Sequence, residues 1–342
     1  MEQPSLFDDL DPEPQKAPIP ATFRTPAATA HATPRTPAPH APARTTPRQH
    51  TPRPLTNAKA DGQALGEAVA YAWHSGFGGT DIGIPLGTVA ALALFPLHRD
   101  KPRHLGEWLL TLTPAELQAT YREVMAWQWI RRPDLIETAL PILRWTEQDL
   151  NKNQLDAMAA VTRAALKHNV LELTGADPYI RADVDLMSWT LTQLRSRGAA
   201  QGLGEYHTPP EVCDVMARMI YGTSEFEPGQ AFNDPACGTG GLFRSLVQIV
   251  REAGHDPHDH IWVMQDIDAI AAAGAAVNAI LWDLGPNVLI AVGDTLAHGD
   301  LAEKANEHRR GVLAHRNEIV RQAVVLAAVR NVENLITMAA GA

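Results

Sequence analysis

Two cysteines, Cys213 and Cys237, are all that 342 residues contain, so neither a disulfide framework nor a cysteine-rich metal centre can be read from the chain. No apolar run reaches the roughly 18 residues that a membrane-crossing helix needs. The first residues are acidic where a secretory leader would be basic and then apolar. Together these absences predict a soluble protein of a reducing, cytoplasmic compartment, with no membrane partner and no metal site. Excess positive charge is missing too. The formal net charge is -10, which argues against a histone-like grip on nucleic acid, because counterion release needs many cationic contacts, but leaves room for a local basic cleft.

The charge is unevenly spread, and so is proline. Residues 1–60 hold seven Lys and Arg against five acids, a net +2, so the total of -10 leaves -12 for residues 61–342. Thirteen of the 26 prolines lie between Pro4 and Pro54. Residues 11–56 are Pro, Ala, Thr, Arg and His with almost no aliphatic side chain, too little apolar surface to offset the entropy of ordering. Residues 1–60 are therefore expected to be a disordered tail. Its opening Gln3-Pro4-Ser5-Leu6-Phe7 resembles the short peptide by which replication proteins dock on the bacterial sliding clamp, although five residues of this kind also recur by chance.

Residues 61–197 read as a helical domain. Leu65, Val69, Ala72 and Trp73 recur at helical spacing. Thr113-Pro114-Ala115-Glu116 is a capping box with proline in the first turn, followed by Leu117, Tyr121, Val124, Met125 and Gln128. Residues 154–171 and 183–195 are further amphipathic stretches. Six tryptophans (73, 108, 127, 129, 145 and 189) fall here, and their spacing predicts core positions.

After Gly198 the texture changes. Thr208 and Glu211 form a second capping-box pattern with Pro209 as first helical residue, ahead of an apolar face of Val212, Val215, Met216, Met219 and Ile220. Then strands and helices alternate: a strand near Ala231–Asn233, a turn Asp234–Gly241 and a helix; a strand Ile261–Met264, Gln265-Asp266-Ile267-Asp268 and an alanine-rich helix; a strand Val288–Val292 closed by Gly293-Asp294-Thr295-Leu296. Such alternation predicts a parallel sheet of βαβ units. Residues 198–300 form this α/β domain, and residues 301–342 a closing helix with no fourth strand.

The turn Asp234-Pro235-Ala236-Cys237-Gly238-Thr239-Gly240-Gly241 places glycines where open α/β sheets bind cofactors. Asp266 and Asp294 end the next two strands. Leu242, Phe243 and Arg244 stand where a dinucleotide fingerprint prefers a third glycine, which favours a mononucleoside-like ligand.

These four segments, with Gly204-Glu205-Tyr206-His207-Thr208-Pro209 as the first, resemble the N6-adenine DNA methyltransferases and, within them, the modification subunits of type I restriction systems. The resemblance spans about residues 198–296. It implies a Rossmann-like methyltransferase sheet, S-adenosylmethionine as cofactor and DNA as substrate, with a specificity or restriction subunit as partner. By matching motifs, Glu205, Tyr206, His207, Thr208 and Pro209 border the methionine end of the cofactor. Asp234 opens the glycine turn, Gly238, Thr239 and Gly240 pass beneath the cofactor, Asp266 holds the ribose and Asp294 lies near the adenine. His207 stands where the family commonly has Phe or Tyr.

The catalytic motif of that family is missing. An exocyclic amine is a poor nucleophile until acceptors orient it and stabilise its developing charge. The family supplies them from an Asn/Asp-Pro-Pro-aromatic tetrapeptide. This chain has no Asn-Pro pair, and its four Asp-Pro pairs (Asp11, Asp177, Asp234 and Asp256) are never followed by a second proline. No catalytic residue can therefore be assigned. The expected fold is a partial methyltransferase sheet that holds the cofactor half and leaves the strand before Asp234 with an open edge. That edge could be covered by the C-terminal helix or by a sheet-completing partner chain, while the plainer expectation for that helix is a solvated amphipathic cap. Three readings stay open at this point: an adenine methyltransferase, an accessory protein on the same fold, and a methyltransferase for RNA or a small molecule.

Overall fold

The computed structural model describes residues 57–76, 78–95, 101–195 and 208–340. The tail, with its Gln3–Phe7 peptide, lies outside the described residues. Among the described residues up to 195 the α-helices are α1 (Ala58–Ser75), α2 (Gly83–Ala93), α3 (Pro102–Leu109), α4 (Pro114–Arg131), α5 (Ile136–Leu143), α6 (Lys152–Lys167), the single turns α7 (Val170–Leu173) and α8 (Pro178–Arg181), and α9 (Leu186–Leu194). Local chemistry fixes their starts. Thr113 and Glu116 exchange the two hydrogen bonds of a capping box at α4, and Asn151 and Gln154 do the same at α6. Asn57 caps α1 and Asp185 caps α9. The 154–171 stretch breaks earlier than its pattern suggests, because Asn169 takes a left-handed conformation (φ 62°) that asparagine tolerates better than most residues.

Leu117, Tyr121, Val124, Met125 and Gln128 are all buried on α4, and Leu65, Val69 and Trp73 on α1. The tryptophan expectation needs correction. Trp73, Trp129 and Trp145 are core, Trp189 is half-buried against it, and Trp108 and Trp127 are about half exposed. Trp127 lies on the outer face of α4, where Arg131 stacks on it one turn later, 4.7 Å from the ring centre.

The sheet has three strands in the order β1 (Ala231–Asp234), β2 (Ile261–Asp266) and β3 (Val288–Val292), all parallel. Phe232 stands opposite Trp262, and Met264 opposite Ile290. Helix α10 (Pro210–Tyr221) leads into β1, α11 (Gly241–Glu252) joins β1 to β2, and α12 (Ala269–Leu281) joins β2 to β3. Both connecting helices lie on the sheet face that carries Trp262 and Met264. Phe243 of α11 meets the Trp262 ring edge-on at 5.5 Å, and α12 is buried along almost its whole length. The preceding helices continue this layer, with α5 and α9 packed on α12. Arg132 donates to the Gly285 carbonyl and Arg181 to that of Leu281, so two guanidinium groups seal the junction.

Beyond β3 the chain enters one 40-residue helix, α13 (Leu301–Ala340). Its first turns pack on β3 and the short turn Pro133–Leu135, while residues 321–333 are exposed. The edge of β1 is not covered by it: Ala231 and Asn233 remain exposed. The apolar face expected on α10 is also outward. Its buried residues are Pro210, Cys213 and Ala217. Nor does Thr208 cap that helix. Pro209 is the N-cap, held extended (ψ 142°) because a residue that precedes proline is driven out of the helical region, so the helix starts at Pro210.

One core residue carries a prediction. His260 is fully buried among Phe226, Phe232 and Trp262, and neither ring nitrogen has a hydrogen-bond partner. Burial holds its pKa below the ordinary 6.5. A histidine with a depressed folded pKa gives stability that is present above 6.5 and declines as the pH falls toward the folded value. His260→Phe is expected to match the parent at pH 7.5 and to gain on it below pH 6.5. Urea unfolding at the two pH values checks this, and a parallel decline of both proteins would refute it.

Candidate functional site

The carboxyl ends of the three strands are tied together by their own loops. The Cys237 amide donates to the Gln265 carbonyl, the Gly293 amide to the Asp266 carbonyl, and the Thr295 hydroxyl to the Pro235 carbonyl. Asp266, at the end of β2, is the centre of this arrangement. Its Oδ2 accepts from the Gly238 amide at 2.6 Å and its Oδ1 from the Asp268 amide at 2.8 Å. Asp268 in turn caps α12 through the Ile270 and Ala271 amides, and pairs with Arg195 at the end of α9.

Two glycines give the loop its shape. Gly238 (φ 57°) and Gly240 (φ 96°) are both left-handed, a conformation that side chains disfavour. They differ in surroundings. A β-carbon on Gly240 would lie 3.1 Å from the Trp282 ring, so this glycine packs the loop onto the core. A β-carbon on Gly238 would meet nothing within 4 Å. The backbone at Gly238 faces open space that a ligand can fill.

That space belongs to a cleft of about 110 Å³ lined by Thr208, Cys213, Asp234, Ala236, Cys237, Gly238 and Thr239, with Asp185 and Ser188 from α9 and Ala271 from α12. The structure thus brings Thr208, Asp234, Gly238 and Thr239 to one place, with Asp266 bound to Gly238 from behind. Pro209 is exposed as the cap of α10, and Asp294 is exposed at the rim, where its Oδ1 accepts from the Leu296 and Ala297 amides. Glu205, Tyr206 and His207 lie outside the described residues.

The cleft is acidic and poor in nucleophiles. Burial raises Asp234 above the ordinary carboxylate range, and the charge of Asp266 adds to this, against the Ala236 amide that accompanies its carboxylate. Burial also pushes the Cys213 thiol up to about 11 and raises Cys237 well above its usual value. Both thiols stay protonated at neutral pH, which argues against thiolate chemistry. A larger hollow of about 350 Å³ lies between α1, α10 and α11. Its cations are already paired, Lys59 and Arg244 with Asp214 and Arg218 with Glu252.

Asp185 escapes the sequence reading. It is buried, its Oδ2 accepts from the Thr239 hydroxyl at 2.7 Å, and its Oδ1 accepts from Asn278 Nδ2 at 2.8 Å and from the Ser188 amide at 2.9 Å. Asn278 also donates to the Thr239 carbonyl at 2.8 Å. One carboxylate therefore caps α9 and grips the glycine loop. Two signals could have found the pair: the Asp185–Ser188 spacing of a helix cap, and Asn278 as the one polar side chain within Ala269–Leu281.

A parallel sheet with an ordered glycine loop and acids at its carboxyl ends defines a partial Rossmann-like domain. Residues 185–312 match the family model described as N-6 DNA Methylase. Among solved structures, the methyltransferase subunit of a type I restriction-modification system from Streptococcus thermophilus is similar, at 18% identity and a TM-score of 0.44 over 71% of this chain. The match spans 60% of the length of that subunit. No curated protein matches the sequence. No described helix is long and apolar enough to cross a membrane.

Proposed function

We infer that this chain binds S-adenosylmethionine and forms the cofactor half of an N6-adenine DNA methyltransferase of the restriction-modification kind. The observation that carries the reading is Gly238, whose left-handed backbone is anchored by Asp266 and open toward the acidic cleft. The residues present suit this cofactor. Its sulfonium and ammonium groups are cationic, and Asp234, whose charge is disfavoured by burial, gains from a cation beside it. Asp266 keeps acceptor capacity for a ribose hydroxyl beyond its two amide bonds, since a carboxylate offers about four lone-pair sites. By the resemblance, Asp294, exposed at the rim, would lie near the adenine, and Thr208 and Pro209 would border the methionine end. When bound, the cofactor supplies an electrophilic methyl group.

What the chain's own residues do is bind and orient. No residue of this segment is assigned to activating the adenine amine; a specificity or restriction subunit is the proposed partner and the cytoplasm the proposed place. This same absence favours the second reading, an accessory protein that binds cofactor or DNA and transfers nothing itself. Calorimetry with S-adenosylmethionine tests the central claim. Saturable one-to-one binding is expected, and no heat of binding would overturn it. Labelled cofactor and unmethylated DNA with the chain alone should yield no N6-methyladenine.

A further inference from the structure

The cleft beside Gly238 is short of positive charge. Its described lining carries two carboxylates, Asp185 and Asp234, and no lysine, arginine or histidine. Arg244, whose charge is felt at Asp185 and Cys213, is bound to Asp214, and Arg195 is bound to Asp268. The thiols that face Asp234, Cys237 in the loop and Cys213 on α10, are kept protonated by burial and offset nothing. Asp294 sits beyond β3, and its Oδ1 is already turned to the Leu296 and Ala297 amides.

The carboxylates of this region are held very differently. Asp185 is buried and takes three donors, from Ser188, Thr239 and Asn278. Asp266, at the end of β2, has one amide on each oxygen, from Gly238 at 2.6 Å and Asp268 at 2.8 Å. Asp234 ends the neighbouring strand β1 and is half-buried, and among the described residues one donor reaches it, the Ala236 amide at 3.1 Å on Oδ1. It therefore lines the cleft beside an anchored carboxylate, with little hydrogen bonding and no cation to offset its charge. A carboxyl so placed retains its proton to a higher pH than one in water, through desolvation and the like charge together.

We propose that Asp234 holds a proton in the empty cleft and gives it up when a cationic ligand enters, so that loading of the site is linked to pH and selects for positive charge. The inference rests on the cofactor reading for the identity of the ligand. The proton passes to solvent, and the carboxylate left behind faces the cation. No bond of the ligand is made or broken. The sign follows from linkage: affinity for a cation rises as pH climbs through the raised value of Asp234, because less proton then has to be displaced. The ligand itself is silent between pH 5 and pH 6.5, since α-carboxyl groups ionise below about 4 and α-amino groups titrate above about 7.5.

The test is calorimetry of the full chain with S-adenosylmethionine at pH 5, in two buffers of different ionisation heat, which counts the protons released. About 0.3 to 1 proton per ligand is expected, with affinity rising about 3- to 30-fold from pH 5 to pH 6.5. Asp234→Asn keeps an oxygen for the Ala236 amide and mimics the protonated acid. It should release no proton and bind with a pH-independent affinity that the parent approaches as pH falls. S-adenosylhomocysteine lacks the sulfonium charge and keeps the ammonium group. Equal release with it supports the proposal with the ammonium as the partner of Asp234, and smaller release supports it with the sulfonium.

Binding of S-adenosylmethionine without proton release, or an affinity that is flat or falls with rising pH, overturns the proposal and leaves the cofactor reading standing. Release that persists in Asp234→Asn also overturns it, because the proton would then belong to another group such as Asp185. Should the variant bind too weakly to measure, the proton count and pH dependence of the parent decide by the same criteria. Failed binding by the parent sinks the cofactor reading, and the linkage with it.

Discussion

Asp185→Ala is expected to lower the free energy of unfolding by about 3 kcal/mol and to weaken cofactor binding as well. The loss follows from what the carboxylate holds. Three donors converge on it from the Ser188 amide, the Thr239 hydroxyl and Asn278. Each buried donor left without a partner costs roughly 1–3 kcal/mol, and the hydroxyl can turn elsewhere. A charge dependence separates this from simple loss of packing. Burial raises Asp185 above its ordinary 3.8, against the donors that favour its ionised form. A carboxyl raised on folding gives stability that is fully present below its unfolded value and lost as pH rises through the folded one. Asp185→Asn removes that dependence, so its deficit should shrink with rising pH. Urea titrations of both variants at pH 5 and pH 8 provide the measurement. An unchanged midpoint for Asp185→Ala would refute the role given to the residue.

Asp266→Ala should cost the site more selectively. Removing a hydrogen bond to a charged acceptor is worth ~1.5–3 kcal/mol, or about 10- to 150-fold in cofactor affinity. The variant also frees the Gly238 amide from its 2.6 Å bond, so the loop loses its anchor at the position that faces the cleft. Global stability should fall less than in Asp185→Ala, because the other loop ties, from Cys237 to Gln265 and from Gly293 to the Asp266 carbonyl, involve backbone only. Calorimetry beside thermal unfolding distinguishes the two variants. Affinity equal to the parent would remove Asp266 from the site.

The strands, the glycine turn and the acids that end β2 and β3 were legible because short continuous apolar runs and strand-end acids leave a local signature. The capping box at Thr113 and Glu116 was legible for the same reason. The pattern at Thr208 and Glu211 misled, because Pro210 constrains the residue before it and the cap falls on Pro209. The apolar face of α10 was legible as apolar, and the structure shows it turned outward. Periodicity identifies the apolar side of a helix but not whether anything in the chain covers it. Trp127 failed similarly, since an aromatic ring can lie on a surface under an arginine. Asp185 was hidden by distance: its partners Thr239 and Asn278 are 54 and 93 residues away, beyond any local pattern.

The double use of Asp185 makes helix α9 and the glycine loop a single cooperative unit. Local opening of one must release the other, so their slow-exchanging amides should share one opening free energy. A ligand that settles against Gly238 would then be felt at the amino end of α9. Protection at the Ser188 amide, which touches no strand, becomes a remote gauge of occupancy in the cleft.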